Sequence, residues 1–233
     1  MNIGLLGYGK MGKTIERLAL ERQHNIVLRV DQPSNTIDFN NVDVAIDFSL
    51  PNAAVSNIKS AIDAGVPIIS GTTGWLDSYS EVVDYCQLKN GSFLYASNFS
   101  LGVNIFFEIN RTLAMLMGGL KDYSVTMEEI HHTQKLDAPS GTAISLAEQI
   151  IENTDYEDWK LDEEADHSIP ITAKRIAKTP GTHSVTYNSE VDTLQISHEA
   201  HNRDGFALGA IIAAEWIQNK KGVFDMKDVL NIG

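Results

Sequence analysis

Through the first hundred positions, short apolar runs alternate with stretches of helical periodicity, and glycine or polar residues mark the joints. Residues 2–7, 25–30, 42–48, 66–70 and 93–96 read as β-strands. Between them, residues 14–20 carry Ile15, Leu18 and Ala19 on one helical face, and further helices are predicted over 51–64 and up to residue 88. Strands that alternate with helices require right-handed parallel crossovers. The predicted fold is therefore an α/β Rossmann-type doubly wound parallel sheet.

The pattern changes after Asn98-Phe99-Ser100. A long helix over 103–117 precedes a run of alternating residues at 123–130, which reads as a strand; a helix over 142–151 follows. Residues 152–166 are acidic and read as a solvated loop, 182–188 and 193–198 as consecutive strands, and 206–219 as a last helix. Strands without helices between them indicate a second, α+β domain. The boundaries fall near Ser100 and Arg203, so that residues 1–100 and 204–233 form one domain and 101–203 the other.

Composition narrows the partners. The chain has 233 residues, 43% hydrophobic and 21% charged, and a net charge of −13. Such an acidic molecule is repelled by nucleic acid and by anionic membranes, so neither is expected as a partner. Its apolar runs fall short of the ~18 residues that a membrane span needs. The N-terminal residues go directly into a strand pattern without a basic leader, and the single cysteine, Cys86, has no internal partner. Both features predict a cytoplasmic protein.

The strongest motif of the first domain is Gly7-Tyr8-Gly9-Lys10-Met11-Gly12, a G-x-G-x-x-G placed between a strand and a helix. The first glycine permits a tight turn, the second lets a pyrophosphate approach the backbone, and the third lets helix and strand pack closely. Asp31 ends the second strand, roughly 20 residues on, where a carboxylate accepts hydrogen bonds from the adenosine ribose and repels a 2′-phosphate. Gln32 follows rather than an arginine, so NADH is predicted to serve at least as well as NADPH, with Lys10 and Arg29 as candidate phosphate partners. The alternative reading of Asp31 is a turn residue ahead of Gln32-Pro33. Two loops at strand ends, Gly71-Thr72-Thr73-Gly74 and Ala96-Ser97-Asn98-Phe99, are small enough to admit a nicotinamide and its ribose, although turn chemistry alone also accounts for them.

The second domain carries the densest chemistry, from Glu128-Glu129-Ile130-His131-His132 through Lys135 to Pro139-Ser140-Gly141-Thr142. Two imidazoles and an ammonium supply protons and positive charge. The helix start at Ser140, Gly141 and Thr142 offers backbone N–H groups to an anion. Together they suit an acidic substrate. Lys174, Arg175 and Lys178 form a second basic cluster, while His198, His201 and Arg203 form a looser one. His167 and His183 read as structural or surface residues, and no cluster has metal-ligand spacing, so no metal is predicted.

On these residues, together with Ile46-Asp47-Phe48-Ser49, Gly181-Thr182-His183 and the stretch from Phe224 to Leu230, the chain resembles the dihydrodipicolinate reductase family over nearly its whole length. The resemblance implies reduction of 4-hydroxy-tetrahydrodipicolinate by NADH or NADPH in lysine and diaminopimelate biosynthesis. It implies His131 as the acid/base residue, Lys135 acting with it, and His132, Gly141 and Thr142 holding a small dicarboxylate substrate. It also implies a homotetramer assembled through the second domain, and Arg203 as a substrate or hinge contact; the reading further expects the paired imidazoles to face the nicotinamide across a cleft. The stretch between Gln32 and Val42 is shorter than is common in the family, and the glycine turn is one residue tighter. Both departures bear on the adenosine end.

Two other enzyme readings are weaker. An aspartate-semialdehyde dehydrogenase needs a nucleophilic cysteine, and Cys86 lies in a predicted helix remote from the histidine block; homoserine dehydrogenase is the other dehydrogenase of similar layout. A nicotinamide-sensing regulator would need no His-His-x-x-Lys block.

Overall fold

The computed structural model describes residues 1–32 and 36–232, so Pro33, half of the Gln32-Pro33 turn considered above, lies outside the described residues. The chain divides into two compact units, Met1–Asn104 with Asp204–Gly233, and Ile105–Arg203.

Unit 1 begins β1(Asn2–Leu6), α1(Lys10–Glu21), β2(Asn25–Val30), β3(Val44–Asp47), α2(Pro51–Asp63), β4(Ile68–Ser70), a 3-10 turn at Leu76–Ser78, α3(Tyr79–Leu88) and β5(Ser92–Tyr95). Its strands pair in parallel in the order β11-β5-β4-β3-β1-β2, where β11(Gly222–Phe224) comes from the C-terminal return. The central strands are apolar on both faces because helices cover both. Leu5, Ile46, Ile69 and Leu94 face one cluster with Ile15, Ala19 and Ile211, while Leu6, Ala45, Ile68 and Phe93 face another with Ile58, Ala61 and Val82. The returning helix α6(Asp204–Ile217) carries buried Ala207, Gly209, Ala210, Ala213 and Ala214. Small residues let it lie close: a Cβ on Gly209 would sit 1.7 Å from the Phe99 carbonyl oxygen. α7(Met226–Leu230) closes the unit with a capping box between Asp225 and Asp228. Strand order reverses between β2 and β3, on either side of β1, and ligands bind at such a switch point in open α/β sheets.

Unit 2 contains most of α4(Leu101–Met117), then β6(Ser124–His131), α5(Gly141–Ile151), β7(Asp158–Leu161), β8(Ser168–Arg175), β9(Gly181–Asn188) and β10(Thr193–Ala200). The five strands form one mixed sheet, β10-β9-β6-β8-β7, with β6–β9 and β9–β10 antiparallel and β6–β8 and β7–β8 parallel. Two of these strands depart from the sequence reading. β7 lies inside the acidic segment read as a loop, and it forms because Trp159 packs against the core while its backbone pairs with β8 at the sheet edge. β8 escaped because Thr172 and Lys174 on its exposed face break the apolar run. Among the described residues no helix is long and apolar enough to cross a membrane.

One face of this sheet packs on α4 and α5 through Phe106, Val125, Met127, Leu146, Ile150, Ile171 and Val185. The same face changes character along β6. Val125 and Met127 are followed, in the same alternating phase, by Glu129 and His131, all four buried. The neighbouring strands change with it: Val125 pairs with Tyr187, Met127 with Val185 and Ile171, Glu129 with His183, and His131 with Arg175. The apolar core thus runs into a polar site at the start of α5.

Candidate active site

In unit 1 each glycine of the turn has its own steric reason. Gly7 has φ 93°, and a Cβ there would lie 2.1 Å from the Phe48 carbonyl oxygen. A Cβ on Gly12 would lie 2.3 Å from the Gly7 oxygen, whereas one on Gly9 would meet open space. The open position is the one that a pyrophosphate would approach. A cavity of about 250 Å³ sits there, lined by Gly7, Tyr8, Gly9, Asp31, Ser49 and Asn57 among others. Asp31 is exposed at its rim, and Lys10 and Met11 begin α1 beside it. These residues fit a dinucleotide.

Arg29 does not stand free for a 2′-phosphate. Its guanidinium is bound to Glu16, which also accepts the Tyr8 hydroxyl, and it donates to the Ile26 carbonyl at 3.2 Å. The Arg29 guanidinium and the Tyr8 hydroxyl hold the Glu16 carboxyl below the usual carboxylate range.

The strand-end loops are organised by a buried carboxylate that composition alone does not reveal. Asp47, fully buried at the end of β3, accepts hydrogen bonds from Ser70 Oγ and Thr72 Oγ1 at 2.8 Å and from Asn57 Nδ2 at 3.0 Å. Burial pushes its pKa up, opposed by hydrogen bonding from Ser49, Asn57, Ser70 and Thr72. Thr72 in turn accepts the Ser49 N–H at 2.9 Å, so its hydroxyl ties two loops together. Gly71 lies against the Phe48 ring, where a Cβ would be 2.3 Å away, and Thr73 is exposed. Ala96 and Phe99 are buried, Ser97 is exposed, and Asn98 Oδ1 caps the Ser100 N–H at 2.9 Å.

In unit 2 the histidine block surrounds Glu129, whose side chain is fully buried. Its Oε1 accepts Arg175 Nη1 at 3.1 Å, and its Oε2 accepts the Ser140 N–H at 2.8 Å. The same Oε2 lies 3.7 Å from His131 Nδ1 and 3.9 Å from His183 Nε2. Burial alone raises the Glu129 carboxyl, but Ser140, the His131 ring and Arg175 together bring it below its ordinary range. His131 is pulled down by burial first, with Glu129 opposing and Lys135 and Arg175 adding to the fall.

His183, read from sequence as structural or surface, is buried against the site, with its ring edge-on to His131 at 5.0 Å between centroids. Burial and the His131 ring hold it down to about 4. Glu129, His131 and His183 place one donor atom each within 4.8 Å of one another, a grouping that the sequence spacing did not suggest. Arg175 and the Ser140 N–H each bond one oxygen of Glu129.

Ser140 is buried and caps α5, accepting the Ala143 N–H at 3.2 Å. Two of the four orphan N–H groups of that helix start are therefore taken, by Glu129 and by Ser140 itself. Those of Gly141 and Thr142 are left for an anion. Lys135 is paired with Asp137 at 2.8 Å, and Arg175 straps this loop to the sheet by donating to the Asp137 carbonyl at 2.7 Å. His132 is half-buried, while Arg203, at the end of unit 2, is exposed.

Residues 1–99 match the family described as dihydrodipicolinate reductase, N-terminus, and residues 102–230 match its C-terminus. The chain belongs to the dihydrodipicolinate reductase family. It is 55% identical over 234 aligned residues, 99% of this chain and 98% of the relative, to the 4-hydroxy-tetrahydrodipicolinate reductase of Christiangramia forsetii. It is 39% identical to that of Methanococcoides burtonii, across 80% of this chain and 72% of the relative. Among solved structures, a dipicolinate-bound dihydrodipicolinate reductase from Paenisporosarcina sp. TG-14 shares the fold, with a TM-score of 0.77 and 20% identity over 97% of each chain. The family's members are oxidoreductases that use a pyridine nucleotide, which the Rossmann-type unit 1 is built to hold.

Proposed function

We propose that this protein reduces 4-hydroxy-tetrahydrodipicolinate to tetrahydrodipicolinate in lysine and diaminopimelate biosynthesis. The observation that carries the reading is the buried His131 beside Glu129 at the open start of α5, in a chain of this family. Loss of the 4-hydroxyl as water leaves a carbon–carbon double bond conjugated to the ring imine. A bound reduced nicotinamide supplies the hydride. His131 gives the proton to the neighbouring carbon, and Lys135 acts with it. His132, Gly141 and Thr142 hold the substrate, one carboxylate at the free N–H groups of the helix start. Ser140 serves the substrate through that helix start, since its hydroxyl is committed to the cap and to His183. An incoming dicarboxylate raises the His131 pKa, countering the effect of burial and charging the ring when a proton is needed.

For the cofactor, Gly7, Tyr8, Gly9, Lys10, Met11 and Gly12 frame the pyrophosphate position, and Asp31 meets the adenosine ribose. Gly71, Thr72, Thr73, Ala96, Ser97, Asn98 and Phe99 form the nicotinamide end, held in shape by Asp47. With Arg29 engaged by Glu16, NADH serves at least as well as NADPH. Unit 2 assembles into a homotetramer, a reading supported by exposed Ile109, Leu116 and Leu194. The free Cys86 is in keeping with a cytoplasmic location.

A coupled assay tests the reaction. Incubation with dihydrodipicolinate synthase, pyruvate and aspartate semialdehyde should consume NADH or NADPH absorbance only when the synthase is present. Consumption independent of the synthase, or none, rejects the reading.

A further inference from the structure

The proton-donating ring needs a fixed tautomer and a fixed direction, and His131 has one face already settled. Its Nδ1 is buried, makes no hydrogen bond to any described residue, and lies 3.7 Å from Glu129 Oε2. Its Nε2 points to the other side, where Gly181 begins β9. A Cβ at that position would come within 3.1 Å of Nε2, so the absence of a side chain keeps the approach to this nitrogen open. Taking His131 as the proton donor, as in the preceding reading, only Nε2 can meet a substrate.

We propose that Glu129 is the positioning residue of His131, selecting the Nδ1–H form of the ring and thereby fixing Nε2 as the atom that exchanges the proton. In the reactive cycle the imidazolium holds a proton on both nitrogens. The Nε2–H bond breaks as the new C–H bond forms on the substrate, and the ring is left neutral with Nδ1–H facing the carboxylate. A carboxylate in this position both orients the imidazole and favours its charged form.

The surroundings of Glu129 are arranged for that task. Arg175 on β8 and the Ser140 N–H hold one oxygen each, so the carboxylate stays ionised and cannot turn away. His183 on β9 does not compete for it. Ser140 Oγ accepts the Ala143 N–H and lies 3.1 Å from His183 Nε2, so that nitrogen has its hydrogen-bond partner in Ser140. Glu129 Oε2 is 3.9 Å from the same nitrogen, beyond hydrogen-bond range, so His183 makes no hydrogen bond to it. The charged and titratable groups around His131 are thus Glu129 on its own strand, Lys135 and Asp137 on the following loop, Arg175 on β8 and His183 on β9. Of the two that raise its pKa, Glu129 has the larger effect and Asp137 is exposed.

Glu129→Gln keeps the shape and removes the charge. With NADH and synthase-generated substrate, kcat should fall by about 10- to 100-fold with KM changed much less, the size expected when an imidazole loses its orienting partner. The alkaline limb of the kcat profile, which reports loss of the His131 proton, should move to lower pH. Histidine nitrogen shifts of the unsubstituted protein, read by NMR near pH 8, should show His131 protonated on Nδ1, a readout that no folding defect can confuse. An Nε2–H form in the unsubstituted protein, or a Glu129→Gln variant with kcat and limb unchanged, overturns the proposal. His131→Gln separates the two levels. If it keeps full kcat and the same limb, His131 is not the donor; if it loses both while Glu129→Gln matches the parent, only the positioning role fails.

Discussion

The hydroxyl of Ser140 lies 3.1 Å from Nε2 of His183, a residue 43 positions away that reaches it across the sheet. Through this contact the first residue outside α5 is locked at once to β9, by its side chain, and to Glu129 of β6, by its N–H. The start of α5 is thereby held from both sides. The same contact gives the buried His183 nitrogen its hydrogen-bond partner.

Ser140→Ala removes the cap and leaves the buried His183 nitrogen without a partner. The cap alone is worth about 1 kcal/mol, and the unsatisfied nitrogen adds about 1–3 kcal/mol. Urea unfolding of the variant should show a loss within the sum of these, together with a higher KM for the substrate. A variant as stable as the parent would show that the hydroxyl is dispensable.

His131→Gln should lower kcat by about 100-fold or more while changing KM less, as for loss of a general acid. Steady-state kinetics of the coupled reaction gives both constants. An unimpaired kcat removes this ring from the mechanism.

Cofactor preference rests on Asp31 at the rim of the glycine-turn cavity and on Arg29 being engaged by Glu16. NADH should match or exceed NADPH in kcat/KM, and Asp31→Asn should shift the ratio toward NADPH by removing a charge that repels the 2′-phosphate. A preference of the parent for NADPH of about tenfold, or about 1.4 kcal/mol, contradicts this.

Stability should fall in mild acid. The unfolded chain takes up a proton on His183 near pH 6.5, but the folded chain resists it down to about pH 4. The native state therefore binds fewer protons in that window, and stability declines as pH drops through it, by on the order of 3 kcal/mol in all. Glu129, whose folded pKa lies below its ordinary value, loses its contribution in the same direction at lower pH. Urea midpoints measured from about pH 7 to about pH 4.5 follow this directly. A flat profile would mean that His183 is not held neutral by the fold.

Unit 1 was open to reading from local pattern because its information is local. Each strand is a short apolar run, each helix has its own period, and the glycine turn joins a consecutive strand and helix. The steric demand on Gly12 arises within the turn, from the Gly7 oxygen, while that on Gly7 comes from Phe48, just past β3. What escaped there were β11 and α7, beyond the last helix read from sequence, and the role of Asp47, which depends on Ser70 and Thr72 arriving from the next strand.

The sequence alone determined the two-unit organisation of strands and helices, the glycine turn, and the His131 to Thr142 block, since periodicity and close spacing are properties of neighbouring residues. It also held one unread signal: Glu129 and His131 continue the alternating phase of Val125 and Met127, so a carboxylate and an imidazole stand where core residues belong. Only the tertiary structure brought Arg175 and His183 to them. Those two come from strands more than 40 residues further along the chain, and strand register, set by which apolar faces can be buried together, decides which of their side chains meet.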